Sequence, residues 1–267
     1  MSAHGLSRCV LATRVVHAAG ASVPRHSHDK GQLLAMEAGT MRITCDHGWW
    51  LSPPGQGVWL PAAMPHEAQY SEDSRLLRLE LDQSEFGGLP SFFKAFQVSG
   101  LLRELMLHAV DFSAQGRDNR DMELVGDLVA DQVRRADAGP SLYLPTGMDR
   151  RLKKVMALLE ADPGSRLSIE EFGAGVHCSS RTLARLFESE AGMSFHRWRE
   201  RLRMIVAADR LARGSSVTET ALDLGYRNPG SFSTMFSRVL GMSPRQFVIE
   251  MSCASSNWAD ERAASAG

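Results

Sequence analysis

The chain has 267 residues, which is long enough for two domains at about 100–200 residues each. Apolar residues make up 43% of it and charged residues 23%, as in a soluble globular protein, and four scattered cysteines without a CxxC pair exclude a disulfide framework. Within the net charge of −1, residues 1–145 contribute −4 (13 basic, 17 acidic), residues 146–250 contribute +4 (16 basic, 12 acidic) and residues 251–267 contribute −1. The basic surplus weakly favours a polyanionic partner for the C-terminal half.

The N-terminal third is predicted to form short β-strands. Apolar runs recur there, divided by Gly, Pro, Asp and His, a spacing typical of a sandwich or small barrel. No signal-peptide pattern precedes them, and prolines interrupt the longest uncharged run, 48–65, so a membrane helix is excluded there. We therefore expect a cytoplasmic protein that has no membrane partner. The predicted strands contain QLLAME, TMRITC, GWWL, GVWLP and RLLRLEL.

A candidate metal site lies within HSHDKGQ, at residues 26–32. His26 and His28 stand two residues apart, so on a strand both side chains point to the same side. With His66 they would supply three nitrogens, a set suited to Zn, Fe, Ni, Cu or Mn with one position open. The alternative is that these histidines line a pocket and hydrogen-bond a ligand or one another.

The spacing around this segment resembles that of the cupins, small β-barrels in which two motifs converge on a central pocket. Gln32 stands where metal-binding cupins have Glu, and a neutral amide cannot offset the charge of a divalent ion, so a catalytic metal is not expected. The site is predicted instead to hold an effector or a sensed metal ion through His26, His28, Gln32 and His66. Ala63 replaces the usual glycine of the second motif. The matching positions are Gly20, His26, His28, Gln32 and Gly39, then Gly55, Pro61 and His66.

From about Pro90 the apolar residues follow a helical period instead. We predict helices over 91–137, which connect the two halves of the chain or pair two chains. The segment 138–147 is predicted to be a linker, because two prolines and two glycines interrupt the pattern there. The apolar stripes consist of Leu101, Leu102, Leu105, Met106 and Ala109, and of Met122, Val125, Leu128, Val129 and Val133.

The C-terminal half contains a duplicated helical unit. Ser168 and Glu171 match a capping box, and Ser216 and Glu219 match another 48 residues later. In each copy the box is followed by a residue with little or no side chain, then by a short turn and a second capped helix. Matching residues of the two copies are 48 positions apart before the turn and 49 after it, so the turn of the second copy is one residue longer. This order is the helix-turn-helix pattern. The small residues are Gly173 and Ala221, and the caps are Ser179 and Asn228, the latter followed by Pro229.

Arginines occupy outward-facing positions of the repeat. Arg181 and Arg185 are four residues apart and can form one side of a helix, while the apolar residues between them take the other side. Between the copies, a helix of about eighteen residues and roughly 27 Å could hold two recognition helices about one DNA turn, or 34 Å, apart. Its arginines either contact phosphates or form a solvated face. Two hairpins that pack only for stability are the alternative to DNA binding.

Two stretches carry a resemblance to a known family. They are SSRTLARLFESEAGMSFHRWRERLRM and ALDLGYRNPGSFSTMFSRVLGMSPRQF. Over residues 152–248 the chain resembles the DNA-binding domain of the AraC/XylS family of bacterial transcription regulators, in which the second helix of each unit enters a major groove. Gly173 departs from the usual Ala, and His177 from a turn glycine, so we expect a positive φ there. The implied DNA-contacting residues are Ser180, Arg181, Ala184 and Arg185, then Asn228, Pro229, Gly230, Ser231, Ser233 and Thr234.

These two sets differ in what they can read. Arginine binds guanine O6 and N7 in a bidentate way, which is worth about 1–3 kcal/mol of discrimination, whereas Pro, Gly and Thr have little reach. We therefore predict that the first unit carries most base readout. The second unit would hold phosphate through its helix N-terminus and the hydroxyls of Ser231 and Ser233.

The sequence thus predicts an α+β two-domain fold. A cupin-like β-barrel of the jelly-roll type would occupy 1–90, an all-α domain with two helix-turn-helix units 148–250, and a disordered tail 251–267. We expect a transcription regulator, not an enzyme, that binds double-stranded operator DNA and senses a small molecule or a divalent metal ion. A homodimer is expected, with RNA polymerase as a further partner. The competing hypotheses are a cupin dioxygenase or isomerase with a helical appendage, which Gln32 and the repeat disfavour, and a constitutive DNA-binding protein.

Overall fold

A computed structural model describes residues 10–115, 119–137 and 142–259. Of these residues, 10–41, 52–115 and 119–137 form one compact unit, and 42–51 and 142–253 form a second. The sheet-rich N-terminal part and the helical C-terminal part confirm the predicted α+β two-domain class. Within the described ranges no helix is both long and apolar enough to cross a bilayer.

The strands of the described residues belong to two antiparallel sheets. The first sheet lies in the first unit and has the strand order β1-β8-β3-β6-β9. In the same unit β2 pairs with β7, which places His26 opposite His66. The strands are β1 (Leu11–His17), β2 (Ser22–His26), β3 (Gly31–Ala38), β4 (Met41–Cys45), β5 (Gly48–Ser52), β6 (Gln56–Leu60), β7 (His66–Tyr70), β8 (Ser74–Leu81), β9 (Lys94–Gln97) and β10 (Tyr143–Pro145).

One face of the first sheet forms a core with two helices, α1 (Gly100–Gln115) and α2 (Asn119–Arg135). Side chains alternate along a strand, so the residues between those of the core project from the opposite face. Arg78 and Glu80 of β8 therefore share that face with Gln32 of β3, which lies directly opposite Glu80 in the register. The core residues of these two strands are Leu33, Ala35, Leu77, Leu79 and Leu81.

The segment predicted to be helical from residue 91 begins with a strand instead. β9 pairs with β6, and the side chain of Phe96 is fully buried. Lys94 Nζ donates to the carbonyl oxygens of Val133 at 2.8 Å and Arg134 at 3.0 Å, near the end of α2. Four residues are too few to display a strand period, which is why the prediction was wrong for 94–97.

The second unit contains the helices of the C-terminal half. α6 has the predicted length of 18 residues, and it packs against α5 of the first copy and against α7 and α8 of the second. The predicted disordered tail is wrong as far as Ala259, because α9 continues to that residue; 260–267 lie outside the described residues. The helices are α3 (Arg150–Ala161), α4 (Ile169–Gly175), α5 (Ser180–Ala191), α6 (Phe195–Ala212), α7 (Val217–Asp223), α8 (Pro229–Leu240) and α9 (Pro244–Ala259).

Most of the predicted linker is structured where it is described. β10 pairs with β5, and Leu142 and Leu144 are buried in the core of the second unit. Trp198 Nε1 donates to the carbonyl oxygen of Pro145 at 2.8 Å. Proline and glycine content suggested a linker, but packing of the alternate leucines makes 142–145 part of the core, so that prediction is corrected; 138–141 lie outside the described residues.

A hairpin from the predicted sensor domain also belongs to the second unit. Residues 42–51 contribute Trp49 and Leu51 to its hydrophobic core. The Glu160 carboxylate of α3 accepts from Trp49 Nε1 at 3.2 Å and from Arg42 Nη2 at 2.8 Å, and the Arg42 guanidinium lies 4.0 Å from the centre of the Trp49 ring. This hairpin, named the 42–51 hairpin below, is thus bonded and packed to the helices.

The capping residues of the repeat lie where the sequence predicts them. Ser179 accepts from Thr182 N at 3.2 Å, and the Asn228 side chain accepts from Ser231 N at 2.8 Å. The first capping box, Ser168 with Glu171, is complete. The second is only half formed, because Ser216 accepts from Glu219 N but Glu219 makes no returning bond to the backbone N–H of Ser216. Two full boxes were predicted, and this point is corrected.

Candidate functional site

Helix α5 presents two free arginines to solvent. Arg181 and Arg185 are both exposed, and among the described residues neither has an intramolecular hydrogen-bond or ion-pair partner. The opposite side of α5 is buried in the core of the second unit. Ser180 opens the helix and Ala184 lies between the arginines, both half-buried. The four predicted contact residues of the first copy therefore lie on one short helix with its cationic side uncovered.

The corresponding residues of α8 have fewer free hydrogen-bonding groups. Ser231 Oγ donates to the carbonyl oxygen of Asn228 at 3.0 Å, and Thr234 Oγ1 donates to that of Gly230 at 3.1 Å. Their hydroxyl protons are thus engaged within the helix. Ser233 makes no such bond within the described residues, so it has the hydroxyl best placed to donate to an outside acceptor.

The arginines of α6 mostly bind the protein itself. Arg203 donates to the carbonyl oxygens of Pro163 at 2.7 Å and Ser165 at 2.8 Å. Arg199 donates to Leu167 O at 2.8 Å, and Arg201 donates to Tyr143 O at 2.6 Å. Burial lowers the pKa of both Arg199 and Arg201. These three side chains brace α6, and Arg210 pairs with Asp223 at 2.7 Å. Of the five arginines of this helix, Arg197 is the one that is exposed without a side-chain partner in the described part of the chain.

Two exposed arginines near α8 were missed by the sequence reasoning. Arg227 directly precedes the Asn228 cap, and Arg245 follows Pro244 at the start of α9. Neither side chain has an intramolecular partner among the described residues. A basic residue next to a predicted helix N-terminus is the signal that could have identified Arg227 as a phosphate contact.

In the first unit, three of the four predicted metal ligands come together. The ring nitrogens of His26, His28 and His66 that could bind an ion all lie within 4.8 Å of one another. The ring centroids are 4.6 Å apart for His26 and His28, and 4.5 Å for His26 and His66. We call these three residues the histidine cluster. The fourth residue, Gln32, is buried, and its amide nitrogen donates to Glu80 Oε1 at 3.3 Å, so only its amide oxygen could serve a metal ion.

Hydrogen bonds fix the tautomers of two of these histidines. Nδ1 of His26 lies 2.7 Å from Pro24 O, and Nδ1 of His66 lies 3.0 Å from Met64 O. A carbonyl oxygen can only accept, so Nδ1 has the proton in each ring, and Nε2 is the nitrogen with the lone pair in the neutral form. Burial lowers the pKa of His66 and of His28, which favours the neutral form that binds metals.

The cluster fits a divalent ion after a small adjustment. Metal–nitrogen bonds of about 2.1 Å in a tetrahedral site require about 3.4 Å between nitrogens, so the rings must approach one another by about 1 Å. A backbone carbonyl that accepts from the far ring nitrogen is the usual orienting partner of a metal-ligating histidine. The three imidazoles would hold a borderline ion such as Zn²⁺, Ni²⁺ or Co²⁺.

Charged residues of β8 lie beside the cluster. Burial chiefly lowers the pKa of His28, and the nearby charges of Glu80 and Arg78 act on it in opposite directions. Arg78 Nε lies 3.7 Å from Glu80 Oε1, too far for a hydrogen bond. The sequence reasoning missed both residues. The end of RLLRLEL contained a signal for them, because Arg78 and Glu80 are two residues apart between leucines and therefore lie on one face of the strand.

Comparisons with known proteins extend these observations. Residues 9–175 match the family described as AraC-like ligand binding domain, and residues 173–248 match a helix-turn-helix domain. The chain is 28% identical over 236 residues to the HTH-type transcriptional regulator NimR of Escherichia coli K12, covering 87% of this chain and 84% of that protein. It is 28% identical over 247 residues to the HTH-type transcriptional activator RhaS of Salmonella paratyphi A, covering 84% and 87%. The solved structure of ToxT from Vibrio cholerae O395 is 10% identical, with a TM-score of 0.39, over 91% of this chain and 98% of that one.

Proposed function

The chain belongs to the AraC family of transcription regulators, and from this premise we propose that it binds its operator mainly through α5 and adjusts that binding to an effector held at the histidine cluster. It combines a ligand-binding domain with a DNA-binding helix-turn-helix domain. Its homologues regulate transcription, and we propose no catalytic role for the histidines.

The proposal depends above all on the free cationic side of α5. A guanidinium that ends in solvent without a partner makes no hydrogen bond or ion pair that would stabilise the fold. Arg181 and Arg185 are exposed in this way, one helical turn apart, whereas Arg199, Arg201 and Arg203 are used by the protein itself. The first pair is therefore available to the edges of bases in a major groove.

Helix α8 would contribute differently. Its first residues, Pro229 and Gly230, have no reach, and the hydroxyls of Ser231 and Thr234 donate to backbone. Pro229 has no N–H, and Ser231 N and Phe232 N donate to Asn228, so Gly230 N is the free backbone donor of the first turn within the described residues. We expect this N–H, with Ser233 and the exposed Arg227, to contact phosphates and to set the register of the protein on the duplex.

In a homodimer, each protomer would place its own α5 and α8 on one of two operator half-sites. Contact with RNA polymerase would follow from a role in transcription. The effector can change operator affinity only if it binds the conformation that favours DNA binding and the one that does not with different affinities. We propose that a divalent metal ion at His26, His28 and His66 is part of that effector site.

The test begins with an operator, found by sequencing genomic fragments retained by the purified, tag-free protein. Fluorescence titrations then compare this operator with a scrambled duplex of the same length at fixed salt. Arg181→Ala and Arg185→Ala should each reduce the difference in binding free energy between the two duplexes by about 1–3 kcal/mol. Thr234→Ala should reduce it by much less. Arg135→Ala, which removes an equal charge from the exposed side of α2, is the matched control.

The same titrations, with EDTA and then with Zn²⁺, test the sensor. Metal should change operator affinity of the wild type, and His66→Gln should abolish that response while it leaves the metal-free affinity unchanged. Equal losses of specificity for Arg185→Ala and Thr234→Ala would contradict the division of labour between α5 and α8. Identical curves with EDTA and Zn²⁺ would contradict the metal-dependent step but not DNA binding.

A further inference from the structure

The histidine cluster has no carboxylate of its own to offset the charge of a metal ion. Histidines bind metals as neutral rings, and Gln32 is an amide. A divalent ion held by such a set keeps its full charge in a partly buried site, where His66 is only 4% exposed. Charge that is not offset is costly away from water. A negatively charged ligand from outside would remove this cost.

Arg78 adds a second positive charge beside the cluster. It projects from the same face of the first sheet as Gln32 and Glu80. Burial lowers the pKa of His17 and raises that of Tyr70 to about 12, and in both cases the charge of Arg78 is a further, lowering influence. His17 and Tyr70 stack with ring centroids 4.0 Å apart. Arg78 is therefore near enough to both rings for its charge to act on them.

The guanidinium of Arg78 is not fully satisfied. Its Nε is buried and has no hydrogen-bond partner among the described residues. Glu80 is the acidic partner, at 3.7 Å, but its Oε1 atom already accepts from Gln32 Nε2 at 3.3 Å. A buried donor without an acceptor costs free energy, and a carboxylate is an acceptor whose geometry matches a guanidinium.

We propose that the effector is a small carboxylate-bearing anion whose charged end is bound jointly by Arg78 and by the metal ion at the histidine cluster. This inference rests on the proposed sensor function and gives the chemical class of its ligand. The charges of a divalent ion, Arg78 and Glu80 sum to +2, which favours a dianion over a neutral sugar or an amide.

The experiment uses the full chain, tag-free and loaded with Co²⁺, whose visible absorption reports its ligands. Malonate is the probe, and malonamide is its uncharged counterpart. Malonate should shift the cobalt bands with a saturable dependence on concentration, and malonamide should not. Cobalt content is measured again after each titration, so that loss of metal to the probe is recognised.

Two variants that each replace a charged side chain by a neutral amide give opposite expectations. Arg78→Gln should weaken malonate binding by about ten-fold to one hundred-fold, because a charge-assisted hydrogen bond is lost. Glu80→Gln should strengthen malonate binding, because the opposing charge is removed while the acceptor for Gln32 remains. Arg135→Gln is the control for overall charge. If Arg78 and Glu80 had only structural roles, the two substitutions would not change malonate affinity in opposite directions. Melting curves verify that each variant is folded.

Several results would overturn the proposal. They are a protein that takes up no Co²⁺, a cobalt spectrum that malonate leaves unchanged, or equal malonate affinities in the wild type and in Arg78→Gln. The operator titrations without metal are independent of all three. Failure of the anion site can therefore be distinguished from failure of the regulator itself.

Discussion

At the scale of single residues, two side chains occupy backbone conformations that favour glycine. Within the described residues, Ala63 has φ of 59° and His177 has φ of 53°, and no other residue except glycine has a positive φ. An L-residue in this region costs about 1–2 kcal/mol. Both positions are ones where the resemblances imply glycine, and the positive φ expected of His177 is present.

We predict that His177→Gly stabilises the protein by up to about 1 kcal/mol, since relief of the strain exceeds the entropy that glycine adds to the unfolded chain. His177→Val should instead destabilise it by at least about 1 kcal/mol, because a β-branched residue tolerates positive φ poorly. Denaturant unfolding measures both. His196→Gly, in the regular helix α6, is the control and should be destabilising. A stabilising valine would contradict this account.

Much of the chemistry at this scale could be predicted from sequence. The sequence predicted that His26 and His28 belong to one site, and their rings lie 4.6 Å apart, although β2 ends at His26 and strand alternation does not extend to His28. The exposed Arg181 and Arg185 lie on the predicted α5. The partners of Gln32 could not be predicted. Glu80 is 48 residues away, and only the register between β3 and β8 brings the two together.

At the scale of elements, Gly173 allows the turn of the first copy to pack closely against α4. A Cβ on Gly173 would lie 2.5 Å from the carbonyl oxygen of Cys178, in the turn that precedes α5. Cys178 N in turn donates to Gly173 O at 2.9 Å. The second copy has Ala221 at this place and a turn that is one residue longer, 224–228 against 176–179. The shorter turn thus accounts for glycine in the first copy.

We predict that Gly173→Ala destabilises the protein by about 1–2 kcal/mol, because the clash with backbone exceeds the gain in helix propensity. Gly175→Ala is the matched control. It lies in the same helix, and a Cβ there meets nothing within 4 Å, so it should be neutral or stabilising by up to about 1 kcal/mol. Thermal melting in the absence of DNA compares them. Equal changes in stability for the two substitutions would contradict this explanation.

Elements with a long period were the ones that sequence could predict. The caps, the turn lengths and the 18 residues of α6 follow from local pattern. The strand β9 and the segment 142–145 are too short to show a period, and their pairing with β6 and β5 is decided by distant residues. Glu219 matched a capping box in the sequence, but its carboxylate makes no returning bond to Ser216 N.

At the scale of the whole molecule, the DNA-binding helices depend on a distant part of the chain. The 42–51 hairpin places Trp49 and Leu51 in their core, and it supplies both hydrogen-bond donors to Glu160. No local pattern in the sequence connects residues so far apart. This is why boundaries drawn along the chain, at 90 or at 148, do not match the compact units.

We predict that a fragment of residues 142–259 is less stable than the same helices in the full chain by about 3–6 kcal/mol, from the lost burial of two large side chains. Amide hydrogen exchange of α3 and α6 measures the difference. The full-length variant Trp49→Ala with Leu51→Ala is the control and should show the same faster exchange. A fragment as well protected as the full chain would contradict the prediction.

The position of the 42–51 hairpin also governs how such a regulator can be recombined. A chimera joined near residue 142 would give foreign helices a hairpin that never evolved to fit them, and would leave the native hairpin without its helices. The exchangeable piece is discontinuous, 42–51 together with 142–253. Grafts that transfer both segments should therefore keep their folded helices, and grafts that transfer the second alone should lose operator binding before any loss of ligand recognition.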